Sequence, residues 1–385
     1  MEEGKIQEDL YNNRGDEALY EVKRLLHPIA PIYEHFRVGR ETRNPNKCTR
    51  LAWFGFKVFF CLFGLWGHQA WNYILRVVFS VICLYQAVFV LVSSDFILCA
   101  VNKTEQTATR IFYCVTCAAA VISYVVFVGS FIAAKRKDSA LVSPSQSMVD
   151  VYSTDVFLLF IVAFFIFTVS IPIILYSPLN NSSFVASGVV TIILAHLASV
   201  NTCHIFAINS LALGTFTQDT FRLVQNIQNG HLDDIIRIHE DLCKVVFNTV
   251  SAYNVWFVLH WFTYGASVLF GAICISEQVT SKASAGCITY HATVIICLIY
   301  LFLLPCIYAA KITSRCAEIC EKINCTTSAD WIEGHPFRDR QNISMFISYA
   351  KDRRCGFKVG RITFNTSLAW FSFFFGLTAL MFHFF

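Results

Sequence analysis

Long apolar runs separated by charged segments organise this chain. They fall at 72–95, 111–134, 155–177, 184–213, 254–276, 288–310 and 363–385. Each has the length of about 20 residues that a helix needs to cross a hydrocarbon core of about 30 Å. A transmembrane barrel would show short alternating segments instead. The pattern predicts an all-α polytopic membrane protein with seven transmembrane helices, built as a seven-helix membrane domain over 72–385.

The polar stretches carry shorter helical patterns. In 1–71, Leu19, Val22, Leu25 and Leu26 recur at helical spacing before Pro28 and Pro31. Residues 51–66 (LAWFGFKVFFCLFGLW) are apolar but short and contain Lys57. As an eighth span they would invert every later segment, so they read as a membrane-surface or re-entrant helix, with Trp53, Trp66 and Trp71 suited to the interface. In 214–253, Ile235, Ile238, Leu242, Val245 and Phe247 to Val250 form a stripe among Asp233, Asp234, Glu240 and Asp241. In 311–362, Ile312, Cys316, Ile319 and Ile323 form another. An amphipathic helix outside the membrane needs a partner for its apolar stripe. Packing within one subunit supplies one, and so does a shared core joining several subunits.

Charge sets the orientation. Lys and Arg number ten before the first run, three in 135–154, three in 214–253 and ten in 311–362. The opposite side holds only Lys103, Arg110 and Lys282, and Arg76 lies inside the first run. The positive-inside rule then predicts a cytoplasmic N-terminus and an extracellular C-terminus, with helical extensions reaching into the cytoplasm. Glu2, Glu3 and Glu8 do not fit the basic start of a secretory signal peptide. The net charge of +4 follows the cytoplasmic bias and implies no nucleic-acid partner.

Half of the 16 Cys, such as Cys61, Cys83, Cys114, Cys117 and Cys297, fall in apolar stretches, where Cys behaves as a small hydrophobe. Cys99 and Cys287 lie near the outer connections, where one bridge would be possible. Cys316, Cys320 and Cys325, with His335 farther on, do not match a common zinc spacing. Sequons at Asn102 and across Asn180 and Asn181 agree with outer loops and make these glycosylation candidates, although Asn324 and Asn342 begin sequons on the inner side. HExxH, GxSxG and phosphate-binding glycine loops are absent from the sequence. The expectation is therefore no enzyme, no cofactor and no metal.

Polar residues inside apolar runs face the bundle or a cavity, because burial against lipid is costly. The ligand-pocket candidates are His196, Gln86, His260, Trp261 and Tyr264, where aromatic rings stand beside hydrogen-bonding groups. Interhelical hydrogen bonding is the competing use. In the last run Ser372, Gly376, Ala379 and His383 share a helix face amid Phe residues. That small, polar face suits either close helix packing or a water path.

The chain resembles the insect-type gustatory receptors, which are related to the insect odorant receptors. The likeness lies in the seven-span plan, in IHEDLCKVVFNTVSAYN (238–254), CAEICEKIN (316–324) and RRCGFKVG (353–360), and in a final span that closes the chain. The family's last span carries Thr-Tyr, five apolar residues and Gln-Phe. Here Thr363-Phe364 with Trp370-Phe371, or Leu377-Thr378 with Phe384-Phe385, keeps that spacing without the Tyr or Gln, as in a divergent member. The resemblance implies a ligand-gated, nonselective cation channel in the plasma membrane, opened by an extracellular small molecule. It implies a homo- or hetero-tetramer joined through 214–253 and 311–362, with Ser372, Gly376, Ala379 and His383 lining the pore. A polytopic transporter, to which Pro172 and Pro305 lend slight support, and a non-conducting protein of the same fold are the alternatives. A G-protein-coupled receptor has the opposite orientation.

Overall fold

The computed structural model describes positions 54, 58, 61–64, 70–100, 107–136, 183–282, 285–353, 355–360, 362–371 and 374. Among these, long helices carry the apolar runs: α1 (Ala70–Ala100), α2 (Thr107–Arg136), α3 (Ser183–Gln225), α4 (Leu232–Thr280) and α5 (Ala285–Asn324). A shorter α6 (Arg340–Arg353) follows, then a hairpin of β1 (Lys358–Val359) and β2 (Ile362–Thr363). Lys358 faces Thr363 across it and Val359 faces Ile362. Helix resumes at 366–371, capped by Asn365, whose side-chain oxygen accepts from Leu368 N–H at 2.9 Å. The last run therefore becomes helical three residues later than its hydropathy indicates. Run 155–177, the pore-lining candidates Ser372, Gly376, Ala379 and His383, and the sequons at Asn102, Asn180 and Asn181 lie outside the described residues or side chains. So does the side chain of Cys99, and that of Cys287.

Among the described residues, three stretches are long and apolar enough to cross a membrane, 196–225 in α3, 232–280 in α4 and 291–324 in α5. The chain is a multi-pass membrane protein of helical fold. Helices α3, α4 and α5 hold 43, 49 and 40 residues. At 1.5 Å per residue they are about 60 to 75 Å long, twice the hydrocarbon thickness. Their apolar runs sit at the start of α3, the end of α4 and the start of α5. The surplus length therefore gathers at one end, where α3 hands over to α4.

Helix α3 is the centre of the bundle. In its apolar window 94% of residues are buried, against 44% for α4 and 50% for α5. Buried Ala198, Ser199, Ala207, Ser210 and Ala212 let neighbouring helices approach closely. Around it α2 runs along α4, and α5 packs on both α3 and α4. Helix α4 begins with Asp233 and Asp234 in its first turn, the Asp234 carboxylate accepting from His231 N–H at 2.8 Å. Negative charge there suits the positive end of the helix dipole.

Aromatic rings pack the middle of the bundle. Trp256 packs edge-on to Phe127 at 5.1 Å, and Phe206 meets both Trp256 and Phe257. Phe357, from the segment between α6 and β1, enters this cluster 4.7 Å from Phe257 and 5.9 Å from Phe206. Ile312, Cys316, Ile319 and Ile323 are buried, so the second stripe is covered within a single chain; of the first, Ile235, Leu242, Val245 and Val250 are buried, Ile238 is half-buried and Phe247 is exposed. His335 joins the α5–α6 connection to α3. Its Nε2–H donates to the Val224 carbonyl at 2.8 Å, and Nδ1 accepts from Phe337 N–H at 3.0 Å. Burial holds this imidazole below its usual pKa. Both nitrogens being engaged and Cys325 exposed, His335 and Cys325 form no site with Cys316 and Cys320.

Arg76 has a structural answer. Its Nε–H donates to the Gly64 carbonyl at 2.6 Å, and the guanidinium lies 5.0 Å over the Tyr73 ring. Tyr124 donates to the neighbouring Phe63 carbonyl at 2.9 Å. Gly64, at φ +69°, presses so closely on Asn72 that an added Cβ would lie 2.6 Å from its carbonyl oxygen. Phe63 and Gly64, within 51–66, are thus fastened to α1 and α2.

Candidate ligand site

Pro305 inside α5 supplies no N–H, so the Leu301 carbonyl four residues earlier loses its intrahelical partner. In a membrane such a group must be satisfied by a neighbouring helix. His260 of α4 does this, its Nε2–H donating to Leu301 O at 2.9 Å, with the Cys203 thiol at 3.9 Å. That bond sets the tautomer. In the neutral ring Nδ1 is then the acceptor, and Ser123 of α2 lies 3.0 Å from it. Ser123 also meets the Thr202 hydroxyl of α3 at 3.1 Å, and its carbonyl accepts from Trp256 Nε1–H at 2.9 Å. One histidine thus links all four helices.

Two further clamps hold α3. His204 Nδ1–H donates to Val200 O at 2.7 Å, leaving Nε2 to accept from Tyr300 O–H at 2.9 Å. The Asn209 amide N–H donates to the Tyr253 hydroxyl oxygen at 3.0 Å. These contacts identify the use of the polar positions along α3, and they are internal.

Toward the α1–α2 end the accounting changes. Phe112 near the start of α2 packs against Gly271 and His291, which fixes the level of the helices there. On either side of that level, both amide atoms of Gln86, the Thr116 hydroxyl, the Tyr264 hydroxyl and Gln278 Oε1 are buried without a hydrogen-bond partner. Each such group costs about 1–3 kcal/mol. The amide nitrogen of Gln278 does find company, with His291 Nε2 at 3.3 Å. Donors and acceptors left open beside the rings of Tyr264, Phe112 and His260 can receive a small molecule that carries a few polar groups.

Of the five pocket candidates, Gln86, His260 and Tyr264 are fully buried. His196 and Trp261 are half-buried, and Trp261 turns its ring toward Phe262 at 4.9 Å. The ring of His260 lies 4.3 Å from Tyr264, while both its nitrogens are spent on the protein. The structure therefore brings Gln86 and Tyr264 into the region of open polar groups and gives His260 a helix-joining duty beside it. Thr116 and Gln278, the latter about 21 Å along α4 from Tyr264, carry further open polar atoms and were missed by sequence reasoning. Both are common polar residues near helix ends, and their isolation shows only once α2 and α4 are packed. Among the described residues, no group of three or more His, Cys, Asp or Glu side chains is placed to hold a metal ion.

The arrangement of helices around a buried α3 has a known counterpart. The olfactory receptor OR5 from the insect Machilis hrabei superposes with a TM-score of 0.61 over 87% of this chain and 98% of that one. The chain has the fold of an insect olfactory receptor. The structure of OR5 in complex with eugenol gives a TM-score of 0.62 over the same shares of both chains. Identity is 13% in both cases, so the likeness extends to the fold. The sequence itself matches no protein-family profile and no curated protein.

Proposed function

We propose that this protein is a gustatory-type chemoreceptor, a subunit of a nonselective cation channel that an extracellular small molecule opens. The reading rests chiefly on the buried, unpaired groups of Gln86, Thr116, Tyr264 and Gln278, which lie in the membrane half of an olfactory-receptor fold. OR5 has been solved in complex with eugenol, a small molecule, and that supports the same class of guest here. The charge distribution sets the N-terminus inside, so the α1–α2 end faces outward and the open polar groups stand on the ligand's side. The chain then lies in the plasma membrane as a homo- or hetero-tetramer with related receptors, surrounded by lipid. Phe247, 69% exposed on α4 within 214–253, is the apolar surface left for contact between subunits. The last run, with Ser372, Gly376, Ala379 and His383 on one face, lines the pore.

Ligand shifts the gate only by its differential affinity for the open over the closed state. Expression of the chain alone in a cell without endogenous channels, with currents recorded during a screen of tastants and odorants, tests the proposal. Ligand-evoked cation current is expected, weakened by changes at Gln86 or Tyr264. A surface-delivered tetramer silent to every ligand would sink it in favour of a non-conducting member of the fold. The transporter alternative draws on the proline in α5, and His260 weakens it by closing the gap that Pro305 opens.

A further inference from the structure

Four cysteines gather at the α3–α4 end from three separate segments. Cys316 and Cys320 stand one turn apart on α5, Cys243 is on α4, and Cys355 follows α6. The Cys355 thiol donates to the Cys316 sulfur at 3.2 Å, across 39 residues of sequence. Backbone holds this meeting in place. Phe357 N–H donates to Thr313 Oγ1 at 2.9 Å. Gly356, at φ +151°, lies so near Thr313 that an added Cβ would be 3.0 Å from its side chain. Residues 355–357 therefore lie flat on the turn of α5 that carries Thr313 and Cys316, and Phe357 anchors them in the aromatic core.

A zinc site does not fit this spacing. Zn–S bonds of about 2.3 Å in a tetrahedron put sulfurs about 3.8 Å apart, and the two sulfurs here are closer than that. A disulfide, with sulfurs about 2.05 Å apart, requires them only to close the remaining gap. We propose that Cys316 and Cys355 are a modification site, oxidised by hydrogen peroxide to a disulfide that pins the segment between α6 and β1 to α5.

Cys355 is half-buried and Cys316 is 3% exposed, so Cys355 reacts first. Its thiolate attacks one peroxide oxygen, the O–O bond breaks, and hydroxide leaves to become water, giving a sulfenic acid. The Cys316 sulfur then attacks that sulfur, the S–O bond breaks, and a second water departs with the Cys316 proton. Two thiols and one peroxide become one disulfide and two waters. The sulfurs give up two electrons and the peroxide oxygens accept them. Cys243 donates to Cys355 and pulls its pKa down, but contact with Cys316, burial and the charges of Cys316 and Cys320 outweigh this and hold the thiol well above its usual value. The pair is accordingly slow to react and stays reduced in a cytoplasm rich in glutathione.

The test uses full-length protein in cell membranes exposed to hydrogen peroxide. Free thiols are then capped with N-ethylmaleimide and peptides are mapped without reduction. The expected result is loss of the capped Cys316 and Cys355 peptides and appearance of one linked pair, separated again by dithiothreitol and absent from Cys355→Ser. Both peptides still capped after oxidation would overturn the proposal, as would a Cys243–Cys355 link in place of it. The wild-type map decides between these even where the variant does not fold, and it needs no channel current.

Discussion

The two ends of this bundle treat their buried polar groups differently. At the α3–α4 end, His335 has both nitrogens bonded, Arg353 pairs with Glu240 at 3.0 Å, and Phe357 N–H rests on Thr313. At the α1–α2 end a whole amide, Gln86, finds no partner, with Thr116, Tyr264 and one atom of Gln278 in the same condition. The same two helices, α4 and α5, traverse both regions. The contrast is one of degree: the Tyr349 hydroxyl on α6 is open too, whereas at the other end a complete side-chain amide is left open.

The comparison can be broken most forcefully by Phe357→Ala, which removes a fully buried ring from contact with Phe206, Phe257 and Phe364. A loss of about 3–5 kcal/mol is expected, read as a sharp fall in the melting temperature of detergent-purified protein. His260→Ala strands the Leu301 carbonyl and should cost about 1–3 kcal/mol. Adding Pro305→Ala returns an N–H to that carbonyl within α5, so the double variant should be more stable than His260→Ala alone. Additive losses would show that His260 acts through something other than Leu301.

The α1–α2 end should behave in the opposite way. Gln86→Leu removes an unpaired amide, so stability is expected to hold or rise by about 1 kcal/mol, while ligand-evoked current falls. A clear destabilisation would mean that the amide is already bonded. His335 supplies a pH signature. Its folded pKa lies below the unfolded value of about 6.5, because burial disfavours the charged ring. The unfolded chain therefore binds more protons in the window beneath that value, and stability rises with pH through it. Melting temperature should fall as wild-type protein is taken from neutral to mildly acidic pH, and His335→Ala should flatten that slope. Smallest of all, Arg353→Ala breaks an exposed ion pair with Glu240 and should cost under about 1 kcal/mol. A larger drop would mean that α6 depends on that pair for its seat.

Much of this frame was legible in the chain. The run 72–95 became α1, 111–134 became α2, and the stripes beginning at Ile235 and Ile312 became mostly buried faces. Hydropathy nevertheless divided what geometry joins. It separated 232–250 from 254–276, whereas α4 is one helix, because the surroundings change from water to lipid while the backbone does not. It also began the last span at 363, inside β2. At the candidate site, Gln86, His260 and Tyr264 were visible as polar groups in apolar runs. Their separate fates were not. His260 is used up by a carbonyl 41 residues away that Pro305 left open, and Gln86 finds on α2 only the Cys117 thiol, a weak partner, which leaves its amide atoms open. Periodicity reports which face is buried, and pairing depends on what the opposite helix happens to offer.

The proline in α5 has a mechanical consequence. A helix one hydrogen bond short is completed by a histidine from its neighbour, so α5 cannot slide or turn past α4 without losing that bond. The start of the last helix is tied to the same frame, since Phe364 is buried, its N–H donates to the Phe357 carbonyl at 2.8 Å and its ring lies 5.1 Å from Phe257 of α4. The proline thus trades a bond along one helix for a bolt between two.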